Sequence, residues 1–407
     1  MSDLSQTIAF AARLFREKAA TVYAGYVRRD QLALLALRPG RADPYPLYEQ
    51  LRALGPLAMT RQGDWVTTSH RVCNAVLRDR RFGVVPSDEM GLSFLGENPP
   101  DHNRLRRIAT PAFSSRAVAT YAARIERVAS DLLDKVAGRE EFDMVSAFAA
   151  PLPIAVITAL LGIPDSDVAT FTRYGVLIGG ALDGIRSLRH AAELQAASNE
   201  LRDLFGKLFA LRRSEPRDDV VSHIVAAEGD QVRPREMLPM CFLLLIAGFE
   251  TTVNLISNGV IALLNHPEQW KALCADPSGL APRAVEETLR YDPPVHLTDR
   301  HAIEPVDIEG QRIGAGQDVV TLLAAANRDP EVYDNPDTFD LSRENPAPHL
   351  AFSGGVHYCL GQPLATLEAR IALRLIAERL PGLREAGPVK RRNATIIRGP
   401  LTLPVAC

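Results

Sequence analysis

Residues 234–265 read as one uninterrupted helical pattern, about 48 Å long at 1.5 Å per residue. A helix of that length needs a helical body of similar width to bury it. Its most apolar run, residues 237–249, contains Pro239 and stops at Glu250, so it is too short to span a bilayer. The middle of the helix, A-G-F-E-T-T at residues 247–252, breaks three helix rules. Gly248 costs about 1 kcal/mol against alanine. Glu250 puts a charge into an apolar run, where desolvation is expensive. Thr251 and Thr252 can bond back to carbonyls and bend the ladder. Such local contradictions concentrate at functional sites. The plainer reading is a kinked, buried helix with one snorkelling glutamate.

A second stretch is equally unusual. Residues 352–361 read F-S-G-G-V-H-Y-C-L-G, and a helical pattern over 362–379 follows directly. Glycines permit a tight turn and close approach to a flat object. The new helix points its positive end back at the Cys359 sulfur, which favours the thiolate. A thiolate presented this way suits a soft metal ligand. The plain alternative is a small buried hydrophobe, the common fate of a free cysteine.

The spacing F-x-x-G-x-H-x-C-x-G, met by Phe352, Gly355, His357, Cys359 and Gly361, resembles the haem-thiolate loop of the cytochrome P450 family. The resemblance implies haem b (iron protoporphyrin IX) with Cys359 as axial iron ligand, since thiolate ligation characterises that family. The family's A/G-G-x-D/E-T signature matches at Ala247, Gly248, Glu250 and Thr251. It implies small residues that leave room for O2, and a carboxylate and hydroxyl that relay protons. His102 and Arg106, four apart on one helix face, match the H-x-x-x-R that holds one haem propionate. Arg300, in T-D-R-H-A, resembles the arginine that reaches the second, with His357 a further partner. Arg104 and Arg107 then point elsewhere, toward an acidic redox partner. Glu287 and Arg290 match the family's internal E-x-x-R pair, for which Arg343 is the expected third member.

The resemblance also implies a pocket. Residues 82–99 have no helical period and correspond to the segment over the distal haem face, where Met90, Leu92, Phe94 and Leu95 would line the substrate space. Leu243, Ala247, Val295 and His296 join that lining. His296 has two readings: a hydrogen bond to a polar substrate group, or one to nearby backbone or a propionate. Breaks at Gly179-Gly180 and Asp183-Gly184 mark a hinge in the helix pair that resembles the family's lid.

The fold class expected is mainly α with small β-sheets, the P450 fold, as one domain over residues 1–407 with residues 1–42 a helical extension. That extension packs on the body or contacts a partner. Residues 7–38 read as one amphipathic helix stopped at Arg38-Pro39-Gly40. Ser69 reads as the cap of a helix over 71–78, residues 319–327 as a short apolar helix, and the tail as a hairpin around Gly399-Pro400. Five cysteines without a C-x-x-C pair argue against a disulfide framework and for a reducing, cytoplasmic setting. A net charge of −3 gives no basic field for nucleic acid. No signal-peptide core or membrane span is read, and a monomer is expected.

The function implied is a monooxygenase that inserts one oxygen atom from O2 into a small apolar or amphipathic substrate, a secondary metabolite for example. Electrons would come from NAD(P)H through ferredoxin reductase and ferredoxin. The alternatives are a catalyst of coupling or rearrangement, a peroxygenase, and a catalytically silent haem-binding or recruiting module. Glu250 and Thr251 argue against the last two.

Overall fold

The computed structural model describes residues 2–85, 93–165, 167–179, 187–344 and 347–407. The helix Pro234–Asn265 runs through the centre with the bounds its sequence predicts. Pro234 needs no amide partner in the first turn, and Glu236 accepts from the Arg233 N–H at 2.7 Å. By length and composition this core helix matches a membrane span, but 78% of its most apolar window is buried inside the protein. Helices Pro151–Leu161, Val168–Gly179, Pro277–Tyr291 and Gln362–Arg379 pack around it. One apolar cluster joins them to Ser115–Val136 and Leu188–Ser214.

A five-stranded sheet lies to one side, in the order Ala58–Met59, Trp65–Thr67, Asp318–Thr321, Thr298–Ala302, Phe82–Gly83. Trp65–Thr67 runs parallel to Asp318–Thr321 with Trp65 opposite Val319, and the other pairings are antiparallel. This overturns the helix expected over 319–327. Val319 and Thr321 point inward and complete the sheet, and only Leu323–Ala326 turns helical. The β-branched run prefers the pleated surface once a partner strand is present.

Three other expectations change. The N-terminal helix divides into Ser2–Val22, a π-turn Tyr23–Val27, and short helices Gln31–Leu35 and Arg38–Ala42. Asp30 makes the break, capping the Ala33 N–H and accepting from the Arg61 N–H. Pro39 thus sits in a first turn, where its missing N–H costs nothing, instead of stopping a helix. Residues 31–42 are tied down by Leu35 in a core cluster and by Arg398, which donates to the Gly40 and Arg41 carbonyls, whereas Phe15, Tyr23 and Tyr26 stay exposed. Ser69 caps nothing; the His70 N–H is taken by Asp329 Oδ2 at 2.8 Å, far away in sequence. The tail forms no hairpin at Gly399-Pro400. Pro400–Thr402 pairs with Lys390–Arg391, and Pro404–Ala406 sits between Glu141–Asp143 and Arg384–Glu385.

Glu287 and Arg290 are both fully buried and form a double hydrogen bond at 2.8 Å. Arg343 joins through Nε at 3.2 Å. Arg290 also donates to the Asn327, Pro336 and Thr338 carbonyls. This network anchors the irregular chain that leads to the cysteine loop.

Candidate active site

The loop closes through the Cys359 N–H, which donates to the Phe352 carbonyl at 3.0 Å. Gly355 has φ +65°, and a Cβ there would stand 2.3 Å from the Leu77 carbonyl oxygen, so only glycine fits. Gly361 is different: its φ of −82° suits any residue and no atom approaches its missing Cβ. The chain itself does not demand that glycine, whereas a flat group lying over it would. Burial pushes the Cys359 thiol up, while the Gly361 N–H, the Arg106 guanidinium and the Gln362 N–H pull it back. Those three are the groups that would hold a thiolate bound to a cation. Among the described residues, no cluster of three or more His, Cys, Asp or Glu side chains forms a metal cage. One sulfur needs ligands from elsewhere.

Four basic groups gather beside the loop. His102 and His357 rings lie 4.5 Å apart, and the Nε2 of each is buried without a hydrogen-bond partner. His102 Nδ1 meets Asn103 Oδ1 at 2.9 Å, which orients the ring. Arg106 donates to the Tyr358 carbonyl at 2.6 Å. Arg300, buried, donates to the Asp299 carbonyl (2.7 Å) and the Ser353 hydroxyl (3.2 Å). Burial, then Arg300, His102 and Arg106, push His357 down to about 3, and burial lowers Arg300 as well. Two guanidinium groups beside two imidazoles whose Nε2 atoms are orphaned fit an anion with two carboxylates. Together with Cys359 and the uncovered Gly361, they fit a haem and its propionates. Ser353 and Asn103 were not foreseen. The signal for Ser353 was a polar side chain inside a glycine-rich loop, which the structure places at a left-handed φ of +62°. Arg104 does not reach outward, because Asp101 and Glu236 hold it; Arg107 is exposed.

On the core helix, Ala247 is exposed and Gly248 and Thr251 are half-exposed, although most of their neighbours are buried. That face is one the chain leaves uncovered in its own interior. Thr251 Oγ1 donates to the Ala247 carbonyl at 2.9 Å. Gly248 also has a packing reason to be small: a Cβ there would meet Ile157 Cδ1 at 2.6 Å. It lets helix Pro151–Leu161 pack closely. Glu250 is buried and ion-paired to Arg392 at 2.6 Å.

The pocket residues divide. Phe94 is buried edge-on to His102 at 6.1 Å, on a turn that packs on both the basic and the core helix. Leu95 is exposed, Leu243 is buried in the main cluster, and Val295 packs beside Leu77 and Leu350. Met90 and Leu92 lie outside the described residues, as does the Gly180 to Gly184 hinge. His296 leaves the pocket. Its fully buried ring meets Tyr48 Oη at 2.9 Å and Asp292 Oδ1 at 3.4 Å. The two Tyr rings of helix Tyr45–Arg52, Tyr45 edge-on and Tyr48 tilted against it, fix it there.

Known proteins share this chain's sequence and fold. The family model described as Cytochrome P450 matches residues 280–380. The biotin biosynthesis cytochrome P450 of Bacillus subtilis is 38% identical over 357 residues, 84% of this chain and 90% of that one. The cytochrome P450 monooxygenase PikC of Streptomyces venezuelae is 38% identical over 89% of this chain and 91% of its own. The ligand-free crystal structure of Mycobacterium smegmatis CYP164A2 superposes with a TM-score of 0.86 at 40% identity, over 93% of this chain and 99% of that one. The structure of P450BioI with a fatty-acid-loaded acyl carrier protein gives 0.85 at 37% identity, over 90% and 98%.

Proposed function

We propose, from the premise that the chain belongs to the cytochrome P450 family and is a P450 monooxygenase, that it oxidises a small apolar or amphipathic molecule held beside Ala247 and Thr251. The observation that carries this reading is the uncovered face of Ala247, Gly248 and Thr251 on an otherwise buried helix. Haem b, when bound, supplies the oxygen-activating chemistry. Cys359 holds it through sulfur, with the Gly361 and Gln362 N–H groups stabilising the thiolate. Arg106 and Arg300 would pair with the propionates, and the orphaned Nε2 atoms of His102 and His357 would hydrogen-bond to them. Ala247 and Phe94 present carbon to the substrate and exclude water. The Thr251 hydroxyl gives up its bond to the Ala247 carbonyl and holds a proton toward the open face. Glu250 resupplies that proton once its carboxylate swings from Arg392.

Electrons come from NAD(P)H through a ferredoxin and its reductase, with exposed Arg107 in the docking surface, and the protein works in the cytoplasm. Secondary metabolites and fatty acyl groups are the substrate classes to screen first, because one relative is named a nocardicin C N-oxygenase and one structural neighbour is in complex with a fatty-acid-loaded acyl carrier protein. Thr251→Ala tests the relay. Electron consumption should continue while product falls and peroxide accumulates. Unchanged product per electron would remove Thr251 from the mechanism.

A further inference from the structure

Residues 12–29 invert what a folded chain usually shows to water. Phe15, Val22, Tyr23, Tyr26 and Val27 are 46–77% exposed. Single exposed apolar side chains are ordinary, but five large ones within thirteen residues make a patch. The π-turn Tyr23–Val27 shows the inversion in one element. It buries its two smallest residues, Ala24 and Gly25, and turns its three large ones outward. A Cβ on Gly25 would stand 2.6 Å from Leu37 Cδ1, so the turn is seated on the body by its small side.

The helix before it, Ser2–Val22, barely touches the body. Of residues 12–22, Leu14 and Thr21 are half-buried and the other nine are exposed. At about 100° per residue, three faces separate. Leu14 and Thr21, seven apart, face the body. Phe15 and Val22, also seven apart, form an apolar edge with Ala19 between them. Arg13 and Glu17 lie opposite that edge, 3.9 Å from each other. Arg16 falls about 100° to one side of Phe15 and Lys18 about 60° to the other, so cations flank the apolar edge.

Positive charge continues past the helix. Arg28 and Arg29 follow the π-turn and are exposed. Asp30, the acid next to them, is buried and accepts from the Ala33 and Arg61 N–H groups. The Arg61 guanidinium donates to the Arg28 carbonyl, and Met59, on the same hairpin, is 48% exposed. Residues 13–29 hold five cations and one carboxylate, in a chain of net charge −3. A protein partner for this surface would need a matching groove, and a second copy would bring like charges together. An anionic bilayer needs no shape match. Apolar carbon enters the acyl boundary, tyrosine hydroxyls stay at headgroup level, and arginine and lysine reach the phosphates.

We propose that residues 13–29, with Met59 and Arg61 beside them, dock this protein on an anionic lipid surface as an interfacial helix. The charges at 13, 16, 17 and 18 keep the helix from crossing the bilayer. The proposal is independent of how the haem site is read.

The test uses the full chain, haem-loaded, with vesicles of phosphatidylcholine alone or with about one-third phosphatidylglycerol. The protein should sediment with the anionic vesicles and not with the neutral ones, and salt should weaken the binding. Replacing both arginines, Arg28→Gln with Arg29→Gln, should weaken it on the order of tenfold. Phe15→Ser with Tyr26→Ser should do the same through lost carbon. Both pairs are exposed and remote from the cysteine loop, so Tm and the reduced carbon monoxide band serve as controls for folding. A gain-of-signal variant completes the set. Trp65 and Trp270 are buried, so Phe15→Trp adds the exposed indole. Its emission should shift to the blue on anionic vesicles and be quenched by brominated acyl chains. No binding, equal binding to both vesicles, or binding that the paired variants leave unchanged overturns the proposal. Absent vesicle binding together with a dimer that Phe15→Ser and Tyr26→Ser dissolve also overturns it, and assigns the patch to a second copy.

Discussion

Gly248 separates two explanations for a small residue in the core helix. If it is small to admit O2, alanine there should alter ligand binding and leave packing alone. The contacts give packing a part: an added Cβ would lie 2.6 Å from Ile157 Cδ1 and 2.8 Å from Cγ1. Carbon atoms rest at about 3.5–4.0 Å, so the overlap is near 1 Å. Overpacking of this kind costs roughly 1–3 kcal/mol. Alanine also returns about 1 kcal/mol of helix propensity. Gly248→Ala should then destabilise by up to about 2 kcal/mol. Removing Ile157 beyond Cβ relieves the clash, since Cβ lies 3.5 Å away. In an Ile157→Ala background the same substitution should therefore stabilise, by about the propensity gain. At roughly 2.1 cal/mol/K per residue, unfolding 407 residues carries about 0.9 kcal/mol/K, so 1 kcal/mol is close to 1 °C in Tm. The assay is a Tm cycle of four proteins at equal haem saturation. Gly248→Ala should lower Tm by about 1–2 °C in the parent and raise it by about 1 °C in the Ile157→Ala background. The same sign in both backgrounds would refute the packing argument.

Other consequences follow from the site. Arg300→Leu removes charge-assisted bonds worth about 1.5–3 kcal/mol each, so haem should transfer to a scavenging apoprotein about ten- to a hundredfold faster; an unchanged rate would detach Arg300 from the propionates. Gly355→Ala sets a Cβ 2.3 Å from the Leu77 carbonyl at a left-handed φ, so the loop must rebuild. The reduced carbon monoxide complex should lose its thiolate-type band, as it should in Cys359→Ala, and a normal band would contradict the loop geometry. His296 is held down to about 4 by burial, against the Asp292 bond that raises it. Its folded value lies below the unfolded one of about 6.5. Stability is therefore whole above pH 6.5 and drains as pH falls toward 4, by a few kcal/mol. His296→Gln should flatten acid-induced unfolding across that window; an unaltered profile would place the acid-sensitive group elsewhere.

What the sequence disclosed was set by local chemistry. The core helix and the helix after Cys359 have the bounds their periodicity predicts, because apolar spacing and first-turn prolines are local signals. The cysteine loop was legible for the same reason, as several fixed residues within a short span. Apart from the break at Asp30, which is local, the failures share one cause: the deciding partner is distant in the chain. Asp329 supplies the cap that Ser69 does not. Trp65–Thr67 turns residues 318–321 into a strand. Helix Tyr45–Arg52 removes His296 from the pocket by giving it a tyrosine hydroxyl. Composition and spacing near His296 contain no trace of Tyr48.

The core helix sharpens the point, because its irregular residues answer to different neighbours. Gly248 answers to Ile157, Glu250 to Arg392, and Asn254 to Gly399. Ala247 and Thr251, with Gly248 beside them, keep a face that the described residues leave uncovered. A motif read as one functional unit is thus assembled from separate constraints, and they can be broken separately. Relieving the contact at Gly248 should move Tm without moving product per electron. Replacing Thr251 should do the reverse. A variant at either position that moved both by similar proportions would mean that packing and proton supply are one property of this helix, and the division argued from its neighbours would fall.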